Sequence, residues 1–264
     1  DLADLGAGTY SVVVEDENEC SVSIEVDITE PDGMTISETH SDYTGYGVSC
    51  NGESDGSIDL TVLGGIGNYT YTWSNGEITE DLADLGAGTY SVVVEDENEC
   101  SVSIEVDITE PDGMTISETH SDYFGYGISC NGESDGSINL TVLGGTGNYN
   151  YTWSNGEITE DLADLVAGTY SVVVEDENNC LVEIEVEITE TEEMAISETH
   201  ADYTGYGVSC NGAEDGSINL TVLGGTGNYT YIWSNGAGSE DLADLGAGTY
   251  SVVVTDENEC SVSI

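Results

Sequence analysis

The chain has 264 residues, with 54 acidic side chains, three histidines and neither lysine nor arginine. A negative field of this size repels nucleic acid and anionic membranes, so neither is expected as a partner, and no lysine or arginine salt bridge can form. Apolar residues make up 38% of the chain and fall in regular patterns, which excludes a disordered acidic tail.

The sequence is a tandem repeat with a period of 80 residues. The segment Asp1–Leu5 recurs at Asp81, Asp161 and Asp241, and the residues between these points match almost position for position. This period is long for a solenoid unit but long enough for a small independent domain. Because the chain begins and ends inside a repeat, we expect it to be part of a longer array. The predicted domains are the C-terminal part of a preceding repeat (1–31) and β-sandwich repeats at 32–111, 112–191 and 192–264, the last truncated in its final strand.

The first half of the repeat that starts at residue 32 contains three predicted strands. Residues 34–37 alternate apolar and polar, as a half-buried strand does, and the turn-rich aromatic segment 41–47 follows. Residues 57–62 alternate again, and the glycines of 64–67 end that strand. Tyr69, Tyr71 and Trp73 then share one face of a third strand.

The second half of the repeat begins with Leu82 and Leu85, whose spacing of three predicts a short irregular turn. Residues 88–94 form a strong strand pattern, and residues 96–100 form the turn to the last strand. That strand, 102–108, has the longest alternating run of the repeat. Residues 110–113, with proline and glycine, are the predicted linker.

No segment has a helical period, so the fold class is all-β. Five or more short antiparallel strands, each with one apolar face, need a second sheet to cover that face. We therefore predict a tandem array of immunoglobulin-like β-sandwich domains. Trp73 on a middle strand suits this architecture, and Tyr90 after Gly88 is placed like a tyrosine corner.

Four segments of each repeat resemble a known family. They are Cys50-Asn-Gly, the glycine- and tyrosine-rich stretch 64–76, Leu85–Tyr90 and Val94–Cys100. In this order they are similar to the SprB repeats of giant cell-surface adhesins of gliding Bacteroidetes. The resemblance implies an immunoglobulin-like repeat, secretion to the cell surface and a role in adhesion or gliding. It supplies no catalytic residues.

Seven cysteines at alternating spacings of 30 and 50 indicate disulfides and an oxidising compartment. Two pairings are open. Pairing across the junctions gives Cys20–Cys50, Cys100–Cys130 and Cys180–Cys210, with Cys260 left over. Pairing within repeats gives Cys50–Cys100, Cys130–Cys180 and Cys210–Cys260, with Cys20 paired to a residue upstream. We favour the second, because it would link each small domain to itself.

Calcium is the one cofactor that the sequence suggests, because hard cations bind carboxylate, amide and carbonyl oxygens. Such groups crowd the turn 96–98, the loop around Asp55 and the linker. Asp and Asn are also common turn formers, which is the alternative interpretation. The candidate ligands are Asp55, Asp96, Glu97, Asn98, Asp112, Asp135, Asp176, Asp215 and Asp256.

Two further sets of residues are candidate sites. One tyrosine pair per repeat lies among glycines near the linker, and we expect these side chains to pack against the neighbouring repeat. The tyrosines are Tyr43, Tyr46, Tyr123, Tyr126, Tyr203 and Tyr206. Sequons for N-glycosylation begin at Asn68, Asn139, Asn150, Asn219 and Asn228.

Together these features favour a structural stalk or fibre segment of a giant extracellular, cell-surface adhesin that acts by spacing and load bearing. No catalytic residues are predicted, since one histidine per repeat (His40, His120, His200) offers no triad and is expected at the surface. The expected partners are neighbouring repeats of the same chain. Two alternatives are multivalent binding of a surface glycan or protein ligand and self-assembly with other copies into a fibre.

Overall fold

The computed structural model describes all 264 residues, and it is all-β. The chain divides into two compact units, Asp1–Asp112 and Gly113–Ile264. The structure contains no helix of the length and hydrophobicity needed to cross a membrane.

The first unit contains a hairpin and one sandwich. The hairpin strands are β1 (Gly8–Glu15) and β2 (Ser21–Ile28). The sandwich strands are β3 (Thr35–His40), β4 (Gly56–Leu63), β5 (Thr70–Trp73), β6 (Leu82–Leu85), β7 (Gly88–Glu95) and β8 (Ser101–Ile108).

The second unit contains two sandwiches of six strands each. The second sandwich consists of β9 (Thr115–His120), β10 (Gly136–Leu143), β11 (Asn150–Trp153), β12 (Leu162–Leu165), β13 (Gly168–Glu175) and β14 (Leu181–Ile188). The third consists of β15 (Ala195–His200), β16 (Gly216–Leu223), β17 (Thr230–Trp233), β18 (Leu242–Leu245), β19 (Val252–Thr255) and β20 (Ser261–Ser263).

Each sandwich has the strand order of an immunoglobulin-like domain. In the first, one antiparallel sheet has the order β3-β4-β6 and the other has the order β5-β7-β8. These correspond to strands A-B-E and C-F-G of the immunoglobulin fold, without strand D. The second and third sandwiches repeat this topology. The predicted fold class is confirmed.

The core lies between the two sheets, where the alternating apolar side chains of both sheets meet. Trp73 on β5 is buried, and its indole Nε1 donates to the Thr79 carbonyl at 2.9 Å, which satisfies its polar atom. Tyr90, near the start of β7, donates from its hydroxyl to the Gly86 carbonyl at 3.0 Å, which is the hydrogen bond of a tyrosine corner. The first core comprises Val48, Ile58, Leu60, Trp73, Leu82, Leu85, Val92, Val94, Val106 and Ile108.

The segment 82–85 is a short strand rather than the irregular turn that the sequence predicts. Both Leu82 and Leu85 are buried although they are three residues apart, where a regular strand would place them on opposite faces. Asp84 between them has a left-handed φ of 55°, and the register of β6 against β4 shifts at this point. The irregular backbone therefore brings both leucines to the core side.

Candidate functional site: the junction between consecutive repeats

The loop that carries the predicted tyrosines is a defined structure, which we call the aromatic loop (residues 121–131 in the second sandwich). The backbone N–H of Tyr123 donates to the Tyr126 carbonyl at 2.7 Å, and the Gly125 N–H donates to the Asp122 carboxylate at 2.6 Å. Further along, the Ser129 N–H donates to Oδ1 of Asp135 at 3.0 Å. These bonds fix the backbone of the loop that carries Cys130.

The pKa of Asp135 follows from its place at the base of this loop. Burial by itself would raise the pKa, but hydrogen bonds from Ser129, and to a lesser extent Tyr123, favour the charged form and hold the pKa below its usual value. The carboxyl group therefore stays ionised at neutral pH and anchors the loop. Asp55 and Asp215 have the same position in their repeats and also have lowered pKa values.

The hairpin turn between the last two strands of the third sandwich is built around Asp256, and we call it the DENEC turn (256–260). The buried carboxylate of Asp256 accepts hydrogen bonds from the N–H groups of Thr226 (2.8 Å), Asn258 (3.0 Å) and Cys260 (2.9 Å). Gly225, with φ of 70°, passes so close that an added Cβ would lie 2.8 Å from Oδ2 of Asp256. A glycine is therefore required beside this carboxylate.

The DENEC turn of the third sandwich contacts the aromatic loop of the second. The side-chain amide of Asn258 donates to the carbonyls of Ser129 at 3.1 Å and Tyr123 at 3.4 Å. Beside these bonds Cys130 and Cys260 form a disulfide, with their Cα atoms 5.7 Å apart. The second and third sandwiches are thus joined twice, once by the linker and once by this cross-link.

This disulfide contradicts the favoured pairing within repeats. Cys130 bonds to Cys260, so neither Cys130–Cys180 nor Cys210–Cys260 forms, and Cys100 is a free thiol, so Cys50–Cys100 does not form. The alternative pairing across junctions is also wrong, because each of its three pairs contains a cysteine that is free: Cys20, Cys100 or Cys210. Cys50 and Cys180 are disulfide-bonded as well, whereas Cys20, Cys100 and Cys210 are free and exposed.

The physical reason is that the two cysteines of a repeat lie at opposite ends of its last strand. In the second sandwich, Asn131 donates to the Thr191 carbonyl at 2.7 Å, which places Cys130 near the end of β14. Cys180 directly precedes β14. Eight strand residues at about 3.3 Å each separate these ends by about 26 Å. A disulfide needs Cα atoms within about 7 Å.

The tyrosines predicted to pack between repeats take part through the backbone of their loop. It is the carbonyl of Tyr123, and not its ring, that accepts the hydrogen bond from Asn258. Tyr123 and Tyr126 are half-buried in the second sandwich, as are Tyr43 and Tyr46 in the first. The counterparts in the third sandwich are exposed, with fractional exposures of 40% for Tyr203 and 73% for Tyr206.

The predicted calcium ligands make internal hydrogen bonds. Asp96 and Asp176 have the same role as Asp256, and accept hydrogen bonds from the backbone N–H groups of their own turns. For Asp96, burial would raise the pKa, but the N–H donors of residues 66, 98 and 100 outweigh it and lower the pKa. Glu97 accepts a hydrogen bond from the side chain of Asn68 at 3.0 Å, and Asp112 is exposed. The structure contains no group of three or more His, Cys, Asp or Glu side chains arranged to hold a metal ion.

The remaining candidates lie on the surface. Each histidine is exposed and pairs with the glutamate two residues earlier on its strand, as in His40–Glu38 at 3.0 Å. Glycosylation stays a prediction. The sequon asparagines are all exposed: Asn68, Asn139, Asn150, Asn219 and Asn228. Sequence reasoning missed the role of Asn258 at the junction, although it had marked the equivalent Asn98 as a metal ligand.

Comparison with known families bears on the same residues. The family model described as SprB repeat matches residues 48–77, 128–157 and 208–238. Each sandwich thus contains one segment that matches the SprB repeat. Each match covers the end of the aromatic loop with its cysteine and continues through the next two strands. This confirms the resemblance found in the sequence, and SprB is a family of repeats rather than of enzymes. Among curated proteins, none matches the chain.

Several solved structures are distantly similar to this chain. A tetra-tandem repeat from the extending region of a large adhesion protein is 14% identical, with 100% of this chain and 81% of that chain covered, at a TM-score of 0.27. Domains 3–6 of protocadherin gamma B2 are 12% identical, with 97% and 81% covered, at 0.34. The eight N-terminal immunoglobulin domains of Down syndrome cell adhesion molecule are 9% identical, with 98% and 50% covered, at 0.30. The chain thus spans half of that last structure. TM-scores this low support no argument about the function of the chain.

Proposed function

We propose that this chain is a spacer segment of a cell-surface adhesin, in which consecutive SprB repeats are locked together to hold an adhesive region away from the cell. The observation that carries the proposal is the junction between the second and third sandwiches. There the linker, the Cys130–Cys260 disulfide and the hydrogen bonds of Asn258 connect the same two domains.

A second covalent connection changes the mechanics of a domain pair. Two domains joined by a single linker can swing about it, and relative motion is the default where the interface is small. At this junction the disulfide lies at the contact of the aromatic loop with the DENEC turn, away from the linker in sequence. Fixing two separate points restricts the swing, so the pair acts as a stiff rod element.

The charge and the cysteines support the same role and a location outside the cell. Disulfides persist in oxidising environments, which are extracellular or periplasmic in most organisms. The net charge of −54 makes neighbouring repeats repel one another, which favours an extended array and keeps it soluble. Catalysis is not part of this proposal.

Small-angle X-ray scattering of the full chain tests the proposal. We expect the Cys130→Ser variant to scatter as a more flexible molecule than the wild type, with a broader distribution of interatomic distances. Cys210→Ser is the matched control, because it removes an exposed free thiol and should leave the scattering unchanged. If the wild type is as flexible as Cys130→Ser, the locked spacer is wrong.

The same experiment addresses the calcium prediction. The wild type is measured with calcium and with excess chelator at matched ionic strength. Loss of stiffness in chelator would show that bound cations contribute to the junction. Equal scattering in both conditions would assign the stiffness to the disulfide and to domain packing.

A further inference from the structure

We propose that the Asn131–Gly132 pair of the second sandwich is a self-modification site, at which the asparagine deamidates through a cyclic imide. In the folded chain, the linker to the third sandwich holds this site unreactive. The inference goes beyond the spacer function, because it concerns a covalent change of the backbone. The spacer proposal does not depend on it.

The pair lies in a tight turn that requires the glycine. The N–H of Glu133 donates to the Cys130 carbonyl at 3.1 Å, which closes a β-turn over residues 130–133. Gly132, the third residue of this turn, has a left-handed φ of 78°, as a type II turn requires at that position. Both Asn131 and Gly132 are exposed to solvent. Because glycine has no side chain to shield the peptide nitrogen, water and hydroxide can reach it.

Deamidation of this pair consumes only water. Hydroxide removes the proton of the Gly132 N–H, and the nitrogen attacks Cγ of Asn131. A C–N bond forms and the Cγ–Nδ2 bond breaks, and the leaving nitrogen takes a proton from water and departs as ammonia, which regenerates the hydroxide. Water then opens the cyclic imide at either of its carbonyls and leaves aspartate or isoaspartate at position 131.

The linker binds both reacting groups. The N–H of Gly132 donates to Oε2 of Glu190 at 2.8 Å, and Nδ2 of Asn131 donates to the Thr191 carbonyl at 2.7 Å. Thr191 is buried, which holds this acceptor in place. The negative charge of Glu190 disfavours an anionic nitrogen beside it, and the bond to Thr191 fixes the side chain whose Cγ must turn toward that nitrogen. The reaction therefore requires that the linker first moves away.

The same guarded pair occurs in the first sandwich. There the N–H of Gly52 donates to Oε2 of Glu110 at 2.7 Å, and Nδ2 of Asn51 donates to the Pro111 carbonyl at 3.1 Å. Gly52 has a left-handed φ of 80°. The linker residue that carries the charge is a glutamate in both sandwiches. The arrangement is therefore a property of the repeat and not of one copy.

Conversion of Asn131 would detach the linker from this turn. An oxygen would replace the Nδ2 donor and face the Thr191 carbonyl, so that one hydrogen bond is lost and two acceptors oppose each other. The new carboxylate would also repel the nearby carboxylate of Glu190. Because the amide nitrogen has left as ammonia, the bond to the linker does not form again.

Mass spectrometry of aged protein tests the protection by the linker. The full chain and its Glu190→Ala variant are incubated in mildly alkaline buffer, reduced, digested with pepsin at acidic pH and mapped for the mass increase of deamidation. We expect the rate at Asn131 to rise about tenfold or more in Glu190→Ala, because a hydrogen bond to a charged group is lost. Glu187→Ala removes the same charge from an exposed position of β14 and should age like the wild type.

The Asn155–Gly156 pair is an internal reference in every sample. The N–H of Gly156 donates to the Trp153 carbonyl at 3.0 Å within its own hairpin turn, so its rate should be the same in all three proteins. Two results would overturn the proposal. One is an equal rate at Asn131 in the wild type and in Glu190→Ala. The other is a slower rate in the variant, which would mean that the carboxylate assists the reaction.

Release of the linker is tested with Asn131→Asp, which carries the aspartate product from the start. We expect amide hydrogen exchange of Gly132, measured by NMR, to accelerate by about fivefold or more, because its bond to Glu190 is weakened. Asn155→Asp makes the same change of charge in the hairpin turn and should leave the exchange of Gly132 unchanged. A Gly132 amide that exchanges at the wild-type rate in Asn131→Asp would contradict release of the linker.

Discussion

The first hairpin (β1–β2) and the hairpin of the first sandwich (β7–β8) have the same sequence in their strands but different surroundings. Both pair in the same register, with Gly8 opposite Ile28 and Gly88 opposite Ile108. Val94 is completely buried between two sheets, whereas its counterpart Val14 is 60% exposed. The strand register is therefore the same in both hairpins, whereas the burial of Val94 depends on the sheet that β3, β4 and β6 supply.

The largest difference between the two hairpins is expected when a substitution places a charged side chain in the core. Val94→Asp should destabilise the first sandwich by more than about 3 kcal/mol, because the carboxylate would lie in the core without a partner. Val14→Asp places the same group in solvent and should leave that sandwich unchanged. Urea unfolding followed by the fluorescence of Trp73, with Trp153→Phe and Trp233→Phe as background, measures both. Equal effects would mean that β1–β2 is covered in solution.

A smaller difference is expected at the turn carboxylates. Asp96 accepts from the Ile66 N–H outside its own turn, whereas Asp16 accepts hydrogen bonds within its turn. Asp96→Asn should therefore lower the unfolding midpoint reported by Trp73, and Asp16→Asn should not. Because the folded pKa of Asp96 is lowered, its contribution is complete above the unfolded value near 3.8 and is lost as pH falls through the folded pKa. The difference in unfolding midpoint between wild type and Asp96→Asn should thus become smaller below pH 3.8. A difference that stays constant down to pH 2 would contradict this role.

The tyrosine corner should give an effect of about 1 kcal/mol, the typical net value of one hydrogen bond. Tyr90→Phe removes the bond to the Gly86 carbonyl and should lower the stability of the first sandwich by this amount. Tyr10 makes the same bond to Gly6 at 2.9 Å in the first hairpin, so Tyr10→Phe is the matched control and should not change the Trp73 transition.

The smallest effect should be equal in the two hairpins. Thr89 donates to Asp107, and Thr9 donates to Asp27, each across the strand pair at 2.6 Å and exposed to solvent. Replacing either threonine by valine should lower the stability of its strand pair by about 0.5 kcal/mol, which is within the range measured for cross-strand side-chain pairs. Amide hydrogen exchange of β2 and β8, measured by NMR, should accelerate by about twofold in each case. If exchange accelerates by clearly different factors in β2 and β8, the rest of the sandwich influences the Thr89–Asp107 pair.

Much of the fold could be predicted from the sequence, because a period of two marks a strand and its inward face. Ile58 and Leu60, or Val92 and Val94, follow this rule and are buried. The segment 82–85 departs from it because Asp84 has a left-handed backbone. The spacing of three between Leu82 and Leu85 indicates this irregular backbone, but it does not indicate that the segment pairs with β4.

The junction could not be predicted from cysteine spacing. The spacings of 30 and 50 are compatible with several pairings, and the decision depends on which end of β14 each cysteine occupies in three dimensions. The role of Asn258 depends on the neighbouring domain, and nothing in the motif between Asp256 and Cys260 indicates it. The cysteines and the aromatic loop can be identified from the sequence, but the assignment of disulfide partners requires the topology of two sandwiches.

The Cys130–Cys260 bond also determines where tension would run in a stretched array. A pull that enters at Gly113 reaches Cys130 and crosses to Cys260, which directly precedes the last strand of the third sandwich. The strands from β10 to β19 lie outside this route, since the two cysteines are 130 positions apart. At about 3.3 Å per residue, the disulfide prevents the pull from extending about 430 Å of chain. Such a tether transmits force at nearly constant length, where a chain of unlinked domains would yield by unfolding one domain after another.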